Sequence, residues 1–531
     1  MATMDIERKY PVGIQTFEKI VKGGYIYVDK TDLVWQLTRQ SNYVFLSRPR
    51  RFGKSLLTST LKSYFEGRKD LFEGLKIMNL EQEWAEHPVI HLSLSQAKSQ
   101  ESAEALRQRL MLLLEDYANK YGHKETERTP GALLTGIVRR AVEQTGRQAV
   151  VIIDEYDAPL LEVMHEEQNL PAFRKVMQEF YVPLKDLDPY LQFCFITGIT
   201  KFSQLSIFST INNLNNVTML PKFAAICGIT EDELTTALAD DIALLAKSYD
   251  YSPAEMHQRL KRQYDGYHFS EYSPGVYNPY SLMKSFQNQS VKNYWFESGT
   301  PTYLIRQMQL FHTDIMSLDA MEEPAESFDI PTEAMTTALP LLYQSGYLTI
   351  KGYDRETELY TLDIPNQEVR IGYTRGLMPT YIGMESGSVQ SGFAVKFWRA
   401  LKRHDVDEAL REMQAYLAGI PYVEGFKRKL EEAAVKEGFY EYTLYLIFSM
   451  LNVYVRTQVK CRCGRTDVVV LMPDTTYVIE LKVNGTAREA LDQINSKHYA
   501  LPYQTDGRQV VKVGMSFDPA TMTVGEWEIE G

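Results

Sequence analysis

A short basic stretch near the N-terminus has the residue types of a phosphate-binding loop. Residues 47–57 read SRPRRFGKSLL, and Gly53, Lys54 and Ser55 match the second half of the pattern G-x-x-x-x-G-K-[ST]. In such loops the glycine allows a tight backbone, the lysine meets the β- and γ-phosphates, and the serine ligates Mg²⁺. Arg48 stands where the first glycine of the pattern belongs, so the stretch by itself could also be a helix cap or a chance match.

A second stretch, VVIIDEYD at residues 150–157, supplies carboxylates at a spacing that suits the same site. Asp154 follows four apolar residues and is predicted to hold Mg²⁺, while Glu155 is placed to polarise an attacking water. The alternative is a buried strand that ends in a solvated acidic turn. Thr197 ends another apolar run, where a side chain would face the γ-phosphate, although it could equally cap a turn. Together the stretches predict a site for a nucleoside triphosphate and Mg²⁺.

Near the C-terminus, an aspartate, a glutamate and a lysine have the spacing of a metal-dependent phosphodiesterase site. Asp467 begins one predicted strand, and Glu480 and Lys482 lie within the next, two positions apart and therefore on the same side. Asp467 can then approach Glu480 across the hairpin. Two carboxylates would hold Mg²⁺, while Lys482 would position a water or steady the developing phosphate charge. The same spacing also arises by chance in hairpins with solvated charges.

The elements that must position these residues begin with an alternation of strands and helices. Four apolar runs predict buried strands, and the stretches between them have helical apolar spacing. Such alternation is typical of a mostly parallel sheet that is covered on both faces. The strands are predicted at YVFLS (43–47), PVIHLSL (88–94), QAVVIID (148–154) and LQFCFITG (191–198), with helices at 101–122 and 172–187.

Beyond this region the pattern changes twice. From about Ile229 it is helical, with Thr230 as a predicted N-cap, and a helix with two short strands at 338–366 suits a winged-helix-like or lid-like module. The polar, glycine-rich residues 382–392 read as a linker. Helices, three strands, a helix and a final strand follow. We therefore predict an α/β protein with three parts, at residues 1–228, 229–380 and 390–531.

Length, composition and charge narrow the class of protein. The chain has 531 residues, of which 44% are hydrophobic and 24% charged, as in a folded protein of several domains. It has four cysteines, no apolar run of membrane-spanning length and no secretory signal at its start, so we expect a cytoplasmic protein without a membrane partner. The net charge of −12 argues against a protein coated in nucleic acid, but it leaves room for a local basic groove.

A stretch of sequence that precedes Asp467 is a candidate for such a groove. Its basic side chains could grip a DNA backbone, or they could belong to a solvated strand edge. They are Arg456, Lys460, Arg462 and Arg465.

Several longer strings in the chain resemble a known family. They are YPVGIQTFEKIV, YIYVDKTDLV, RPRRFGKSLL, VVIIDEYDAPL, ITKFSQLSIFSTINNLNNV, KRQYDGYHFS, VYNPYSL and YWFESGTPTYL. Together they resemble the AAA-ATPase-like domain of bacterial proteins, many of which carry a C-terminal PD-(D/E)xK-superfamily domain. The resemblance covers nearly the whole chain. It implies a P-loop NTPase parallel sheet, a helical, winged-helix-like middle region and a C-terminal restriction-endonuclease-like α/β domain.

The resemblance also bears on the arginines of the loop. In this family RPRRFGK is the usual form, so Arg48 is expected in an ATP site and is no longer an objection. The arginines could contact phosphates or pair with a neighbouring acidic surface, and both readings stay open. The residues expected at the nucleotide are Arg48, Pro49, Arg50, Arg51, Phe52, Gly53, Lys54, Ser55, Leu56, Asp154 and Thr197, with Asp29 and Lys30 of the VDKT string close by.

In the C-terminal domain the resemblance adds two residues. Glu441 lies on a preceding helix, where this group of proteins often has a further acid, and Gln493 belongs to QINSKHY, which is similar to the accessory Q-x-x-x-[KY] element. The expected catalytic residues are then Glu155, Asp467, Glu480, Lys482, Glu441 and Gln493. The expected Mg²⁺ ligands are Ser55 and Asp154 at one site and Asp467 and Glu480 at the other.

Three functions fit these features. The first is an ATP-binding and hydrolysing protein whose nucleotide state gates a Mg²⁺-dependent nuclease that acts on DNA. The second is a nucleotide-switched scaffold whose nuclease-like domain binds nucleic acid or protein without cutting. The third is an ATPase whose C-terminal domain serves homo-oligomerisation.

Overall fold

The structure is a computed structural model, and its description covers most of the chain. The described residues are 8–98, 100–164, 166, 168–201, 214–298, 304, 307, 308, 310, 311, 321–331, 335–373, 393, 396, 397, 399–418, 454–461, 464–472, 474–483, 485–505, 507–518 and 523–531, with 297, 298, 454–461, 464 and 465 described by their backbone alone. Among them, no helix combines the length and the apolar character needed to cross a membrane.

The chain divides into two compact units. Unit 1 comprises Met1–Thr313 and Ala320–Glu368, and unit 2 comprises Asp314–Asp319 and Val369–Gly531. The boundary predicted between residues 228 and 229 falls inside unit 1, and the three-part division stays a prediction.

Unit 1 is built on a five-stranded parallel sheet with the strand order β2-β3-β4-β1-β5. The predicted apolar runs form its first four strands, and the predicted fold class is confirmed. β1 and β3 are buried along their whole length, because helices cover a parallel sheet on both faces. The strands are β1 (Tyr43–Ser47), β2 (Val89–Ser93), β3 (Ala149–Asp154), β4 (Leu191–Gly198) and β5 (Asn215–Asn216).

The helices around this sheet begin and end at local signals. In α4 the buried residues Leu106, Leu110 and Leu114 recur every fourth position and form one apolar face. α5 was not among the predicted helices, although Thr129 caps it, a proline begins it and Gly146 ends it. The helices are α1 (Phe17–Gly23), α2 (Thr31–Leu37), α3 (Lys54–Phe65), α4 (Ala103–Tyr121), α5 (Pro130–Thr145), α6 (Ala158–Val163), α7 (Leu170–Tyr181) and α8 (Pro183–Asp186).

The rest of unit 1 is helical and ends in a small antiparallel sheet. Thr230 is confirmed as an N-cap, since it forms a reciprocal capping box with Glu233. The predicted helix and hairpin are also present, and β8 adds a third strand in the order β8-β10-β9. The elements are β6 (Ile229–Thr230), α9 (Glu231–Ala237), α10 (Ala239–Lys247), α11 (Pro253–Tyr264), β7 (Val276–Tyr277), α12 (Pro279–Gln287), β8 (Met321–Glu323), α13 (Ala325–Phe328), α14 (Leu339–Gln344), β9 (Thr349–Tyr353) and β10 (Tyr360–Asp363).

Unit 2 contains a five-stranded mixed sheet with the order β11-β12-β13-β14-β15. β13 and β14 are parallel, so the chain crosses over between them, and α16 forms that crossover. β15 follows the strand that was predicted to be the last. The elements are α15 (Val406–Ala418), β11 (Tyr454–Cys461), β12 (Gly464–Leu471), β13 (Thr475–Val483), α16 (Ala487–Ser496), β14 (Gln509–Asp518) and β15 (Thr523–Glu530).

Candidate functional site

The basic loop joins the carboxyl end of β1 to the first turn of α3. In the sheet Ser47 pairs with Gly198 of β4, and β4 also pairs with β3, which ends at Asp154. The loop and Asp154 therefore lie at the same edge of the parallel sheet, where α/β proteins bind their ligands. Gly53 has a φ of 90°, which glycine adopts without a steric penalty, and α3 begins directly after it.

Lys54 is buried among carboxylates and carbonyls. Its Nζ donates to the backbone oxygens of Arg48 and Pro49, each at 2.9 Å. Burial lowers the pKa of Lys54, and the negative charges of Asp154, Glu155 and Asp157 oppose that change. The Lys54 ammonium group thus lies at the start of a helix, where a phosphate would also meet backbone N–H groups.

Ser55 and Asp154 lie together beside this lysine. The Ser55 hydroxyl is hydrogen-bonded to Asp154, which is only 3% exposed, and Asp154 also accepts from the Glu155 amide at 2.9 Å. Burial raises the pKa of Asp154, while the Ser55 hydrogen bond and the charge of Lys54 lower it. A hydroxyl and a carboxylate are hard oxygen donors of the kind that Mg²⁺ prefers, so these two residues fit the expected ion.

Glu155 has an unusual backbone and a partner that the sequence did not reveal. Its φ is 50°, which is uncommon for a residue other than glycine, and its carboxylate accepts from Lys98 Nζ at 2.8 Å. Both side chains are about one-third exposed, so the pair lies at the rim of the site. Lys98 is 57 positions away in the chain, and no local pattern marks it.

Asp157, the last residue of DEYD, is the third acid of this stretch, and sequence reasoning did not assign it a role. It is buried, and one carboxylate oxygen accepts from the amides of Ile199 and Thr200 and from the Thr200 hydroxyl. Thr197 is also buried and donates to the Leu46 carbonyl at 2.7 Å. The turn after β4 is therefore anchored to the edge that holds Asp154, and the sensor role of Thr197 stays a prediction.

Arg48 is fully enclosed in unit 1. Its guanidinium donates to the carbonyls of Ser47 and Thr218, both at 2.9 Å, and to that of Phe223 at 3.0 Å. It also lies 4.1 Å from the centre of the Phe269 ring. With 1% of its surface exposed, Arg48 supports the base of the loop, and the phosphate contact expected of it stays a prediction.

The next two arginines are joined to other parts of unit 1, Arg50 through its backbone and Arg51 through its side chain. Arg50 is exposed, and its backbone carbonyl accepts from the indole of Trp295 at 3.4 Å. Arg51 has a φ of 66°, donates to the Tyr294 carbonyl at 2.7 Å and lies 4.0 Å from the centre of the Tyr280 ring. These contacts join the loop to residues that follow it by more than 200 positions.

The remaining loop residues are packing contacts. Phe52 is buried edge-on against Tyr267, with ring centres 4.7 Å apart, and Leu56 is half-buried on the first turn of α3. Pro49 is packed so closely against Gly346 that a Cβ built there would lie 2.6 Å from the proline Cβ.

Asp29 and Lys30 are bonded within unit 1. The Asp29 carboxylate accepts from the amides of Thr31 and Lys76, and Lys30 forms an ion pair with Glu233 at 2.5 Å. The expected position close to the nucleotide stays a prediction for both. Lys30 does share one neighbour with the loop, the buried Cys227. Burial raises the pKa of this thiol, and the charges of Arg48, Lys54 and Lys30 lower it.

In unit 2 the predicted acidic residues meet on neighbouring strands. Asp467 lies on β12 and Glu480 on β13; the Asp467 amide donates to Glu480 Oε2 at 3.4 Å, and the Leu481 amide donates to Asp467 Oδ2 at 2.8 Å. Glu480 is 2% exposed. The two carboxylates are thus held side by side, as the hairpin spacing predicted.

Gln493 of α16 joins this pair to the lysine. Its amide nitrogen donates to Glu480 Oε1, and its amide oxygen accepts from Lys482 Nζ at 2.6 Å. α16 is placed by a capping box between Thr486 and Glu489. Two carboxylates are suitable Mg²⁺ ligands, although in the described part of the chain no three His, Cys, Asp or Glu side chains are grouped as a metal site.

Some predicted residues cannot be placed. Glu441 and Arg462 lie outside the described residues, as do the side chains of Arg456, Lys460 and Arg465. The third acid of this site and the basic groove stay predictions.

Comparisons with known proteins identify a family for each of the two parts of the chain that carry these sites. A family described as a predicted AAA-ATPase matches residues 11–208, and one described as the PD-(D/E)XK nuclease superfamily matches residues 435–527. The chain is 32% identical over 537 aligned residues to a protein of Azotobacter chroococcum mcd 1, described as an uncharacterized protein in the vnfD 5′ region, and the match covers 98% of this chain and 99% of that one.

A solved Walker-type ATPase of Pyrococcus abyssi is also similar, at 13% identity and a TM-score of 0.34, over 69% of this chain and 97% of that one. That score is too low to establish a shared arrangement. The two family matches and the full-length relative carry the assignment: the chain belongs to the family of predicted AAA-ATPases that end in a PD-(D/E)XK nuclease superfamily domain.

Proposed function

We propose that this protein binds and hydrolyses ATP and that its nucleotide state gates a Mg²⁺-dependent nuclease that acts on DNA. The observation that carries the proposal is the presence of two separate acidic sites on one chain. Lys54, Ser55 and Asp154 form the site in unit 1. In unit 2, Asp467 and Glu480 lie side by side, and Gln493 links Glu480 to Lys482.

In unit 1 the chain binds the triphosphate through backbone N–H groups at the start of α3 and through the Lys54 ammonium. Ser55 and Asp154 hold Mg²⁺, which neutralises phosphate charge when it is bound. Glu155 orients the attacking water and takes up its proton. In the structure the Glu155 carboxylate is bonded to Lys98, so that ion pair must loosen before Glu155 acts as a base.

In unit 2 the paired carboxylates of Asp467 and Glu480 hold Mg²⁺, which polarises the scissile phosphate when it is bound. Lys482 positions a water or stabilises charge on the phosphate. Gln493 bonds to both Glu480 and Lys482, so it fixes their relative position.

A cleavage assay on the full chain tests the proposal. Double-stranded DNA, single-stranded DNA and RNA are incubated with the protein, with and without Mg²⁺ and ATP. We expect Mg²⁺-dependent cleavage of DNA that falls about 10²–10³-fold in Lys482→Ala, because a charge-stabilising donor is lost. The matched control is Lys512→Ala on neighbouring β14, where the lysine pairs with Glu530 at 2.6 Å, and it should cleave normally. If the wild type and Lys482→Ala cleaved DNA equally, the proposed nuclease activity would be refuted.

One observation favours a second function, a nucleotide-switched scaffold that binds nucleic acid or protein without cutting. The Gln493 side chain bonds to both Glu480 and Lys482, and such a network could serve only to hold β13 against α16. In that case DNA affinity stays the same when EDTA removes the metal, and no divalent ion supports cleavage. Self-association and a cytoplasmic location stay predictions under either function.

A further inference from the structure

The phosphate loop is tied to a distant segment of unit 1 by two contacts. Arg51 donates to the Tyr294 carbonyl at 2.7 Å, and the Trp295 indole donates to the Arg50 carbonyl at 3.4 Å. Adjacent residues of the loop therefore hold adjacent residues of the segment.

The segment is held on its other side by a buried acid. The Trp295 amide donates to Glu368 Oε1 at 2.9 Å, and Glu368 is 1% exposed. Arg51 is close enough for its charge to act on this carboxyl group. Glu368 is also the last residue of unit 1, and the chain enters unit 2 at Val369. The contacts thus run from the phosphate loop to Glu368, at one of the three points where the chain passes between the units.

Arg51 has the chemistry to change partners. Its described contacts are a neutral carbonyl and the face of the Tyr280 ring, 4.0 Å away, and within the described residues it forms no ion pair. A guanidinium binds phosphate oxygens with two parallel, charge-assisted hydrogen bonds, which are stronger than a bond to a neutral carbonyl. A φ of 66° also places Arg51 in a backbone conformation that is unfavourable for a residue other than glycine and is kept only by its surroundings.

We propose that Arg51 couples the nucleotide to the connection between the units. It holds the Tyr294 carbonyl in one state and turns to a bound triphosphate in the other, so that Trp295 and Glu368 shift with the nucleotide. Arg51, Tyr294, Trp295 and Glu368 form what we call the Arg51 relay. A ligand moves such an equilibrium only through its different affinity for the two states, and the guanidinium supplies that difference. The relay rests on the proposed binding of ATP.

Trp295 is a built-in reporter for this relay. The full chain, which has five tryptophans, is labelled with 5-fluorotryptophan, and Trp295→Phe identifies the Trp295 resonance by its loss. We expect Mg²⁺-ATP to shift this resonance in the wild type. In Arg51→Ala the resonance should no longer respond, while ATP affinity, measured by equilibrium dialysis, should fall by about tenfold, equivalent to 1.4 kcal/mol.

The chain offers a matched control for the loss of an arginine from an aromatic ring. Arg39 lies 4.1 Å from the Trp35 ring and pairs with Glu81, away from the phosphate loop. Arg39→Ala should keep the ATP response of Trp295. Glu368→Gln preserves the shape of the acid and should reduce the response, and the melting temperature of each variant shows whether it is folded.

The outcomes separate the relay from the proposed function. If the wild type binds no ATP in dialysis, with Lys54→Ala as the negative control, the proposed function and the relay both fail. If ATP binds and the Trp295 resonance does not move, the relay is overturned and ATP binding stands. If Arg51→Ala binds ATP and its resonance moves as in the wild type, the role of Arg51 is overturned.

Discussion

The arginines at positions 48, 50 and 51 show how one sequence string can serve different physical purposes. Arg48 is buried and donates to three carbonyls, whereas Arg50 is exposed. Arg51 lies between these extremes, with one hydrogen bond and one aromatic face. Of the two readings left open by the sequence, pairing with an acidic surface does not describe Arg48 or Arg51, because their described bonds go to backbone carbonyls.

Lys98 is expected to restrain the base of the ATPase reaction. In Lys98→Met the Glu155 carboxylate loses its ammonium partner and is free to face a water. We expect ATP hydrolysis to rise about threefold to tenfold, a small part of the factor that a general base contributes. Phosphate release measures this. Lys62→Met, which breaks the ion pair with Glu66 in α3, is the control. A fall in hydrolysis would mean that Lys98 supports Glu155 instead of restraining it.

Glu368 should make the stability of the protein depend on pH. Burial raises the pKa of its carboxyl group from 4.5 to about 7, and hydrogen bonds from the Trp295 and Tyr294 amides and the charge of Arg51 offset part of the rise. The folded state therefore keeps a proton that the unfolded chain releases, so the stability contributed by the protonated acid is lost as the pH rises from 4.5 to about 7.

The variant Glu368→Gln stays neutral and should lack this dependence. The free energy of unfolding of the wild type, relative to the variant, should fall by roughly 3 kcal/mol across that pH range, since a tenfold change in proton affinity corresponds to about 1.36 kcal/mol. Urea denaturation of both proteins at several pH values measures the difference. If the free energies of unfolding of the two proteins changed with pH in parallel, the raised pKa of Glu368 would be contradicted.

At the scale of elements, the phosphate loop is shaped by its close packing against the turn that follows α14. Gly346 follows α14 with a φ of 84°, and Pro49 lies against it. In Gly346→Ala the new Cβ would lie 2.6 Å from the proline Cβ, so the loop must move. We expect a lower melting temperature and an ATP affinity reduced by about tenfold, equivalent to 1.4 kcal/mol.

Gly146→Ala is the control that isolates the effect of placing an alanine at a positive φ. Gly146 ends α5 with a φ of 66°, and no atom lies within 4 Å of a Cβ built there. Its replacement should cost roughly 1–2 kcal/mol of stability through the positive φ alone and leave ATP affinity unchanged. If both variants bind ATP like the wild type, contact with Gly346 does not position the loop.

At the scale of the whole molecule, the proposed function requires the two units to influence each other. In Lys54→Ala the triphosphate loses its main cationic partner, so DNA cleavage should become independent of added ATP. Lys482→Ala should lose about 10²–10³-fold in cleavage and keep ATP binding. Cleavage with and without ATP, and ATP dialysis, measure the two effects. If cleavage by Lys54→Ala still responded to ATP, the nuclease activity would not depend on nucleotide bound at the Lys54 site.

Much of this architecture is encoded locally. The strands β1 and β3 are buried along their whole length because both faces of a parallel sheet are covered, and this burial shows in the sequence as short apolar runs. The capping box at the start of α16 is likewise a local sequence pattern. The pairing of Asp467 with Glu480 was predicted because a hairpin of that length fixes which residues oppose each other. By contrast, α5 and β15 went unpredicted.

The sequence by itself determined the fold class and the two sets of candidate site residues, one near the N-terminus and one near the C-terminus. It could do so because apolar periodicity and motif spacing are short-range properties. Only the tertiary structure decided which groups those residues meet. Lys98 lies 57 positions from Glu155, and Arg51 lies 243 positions from Tyr294. Such pairs form because sheet order and helix packing bring distant segments together, and the free energy that selects them is shared among many buried contacts instead of residing in a local pattern.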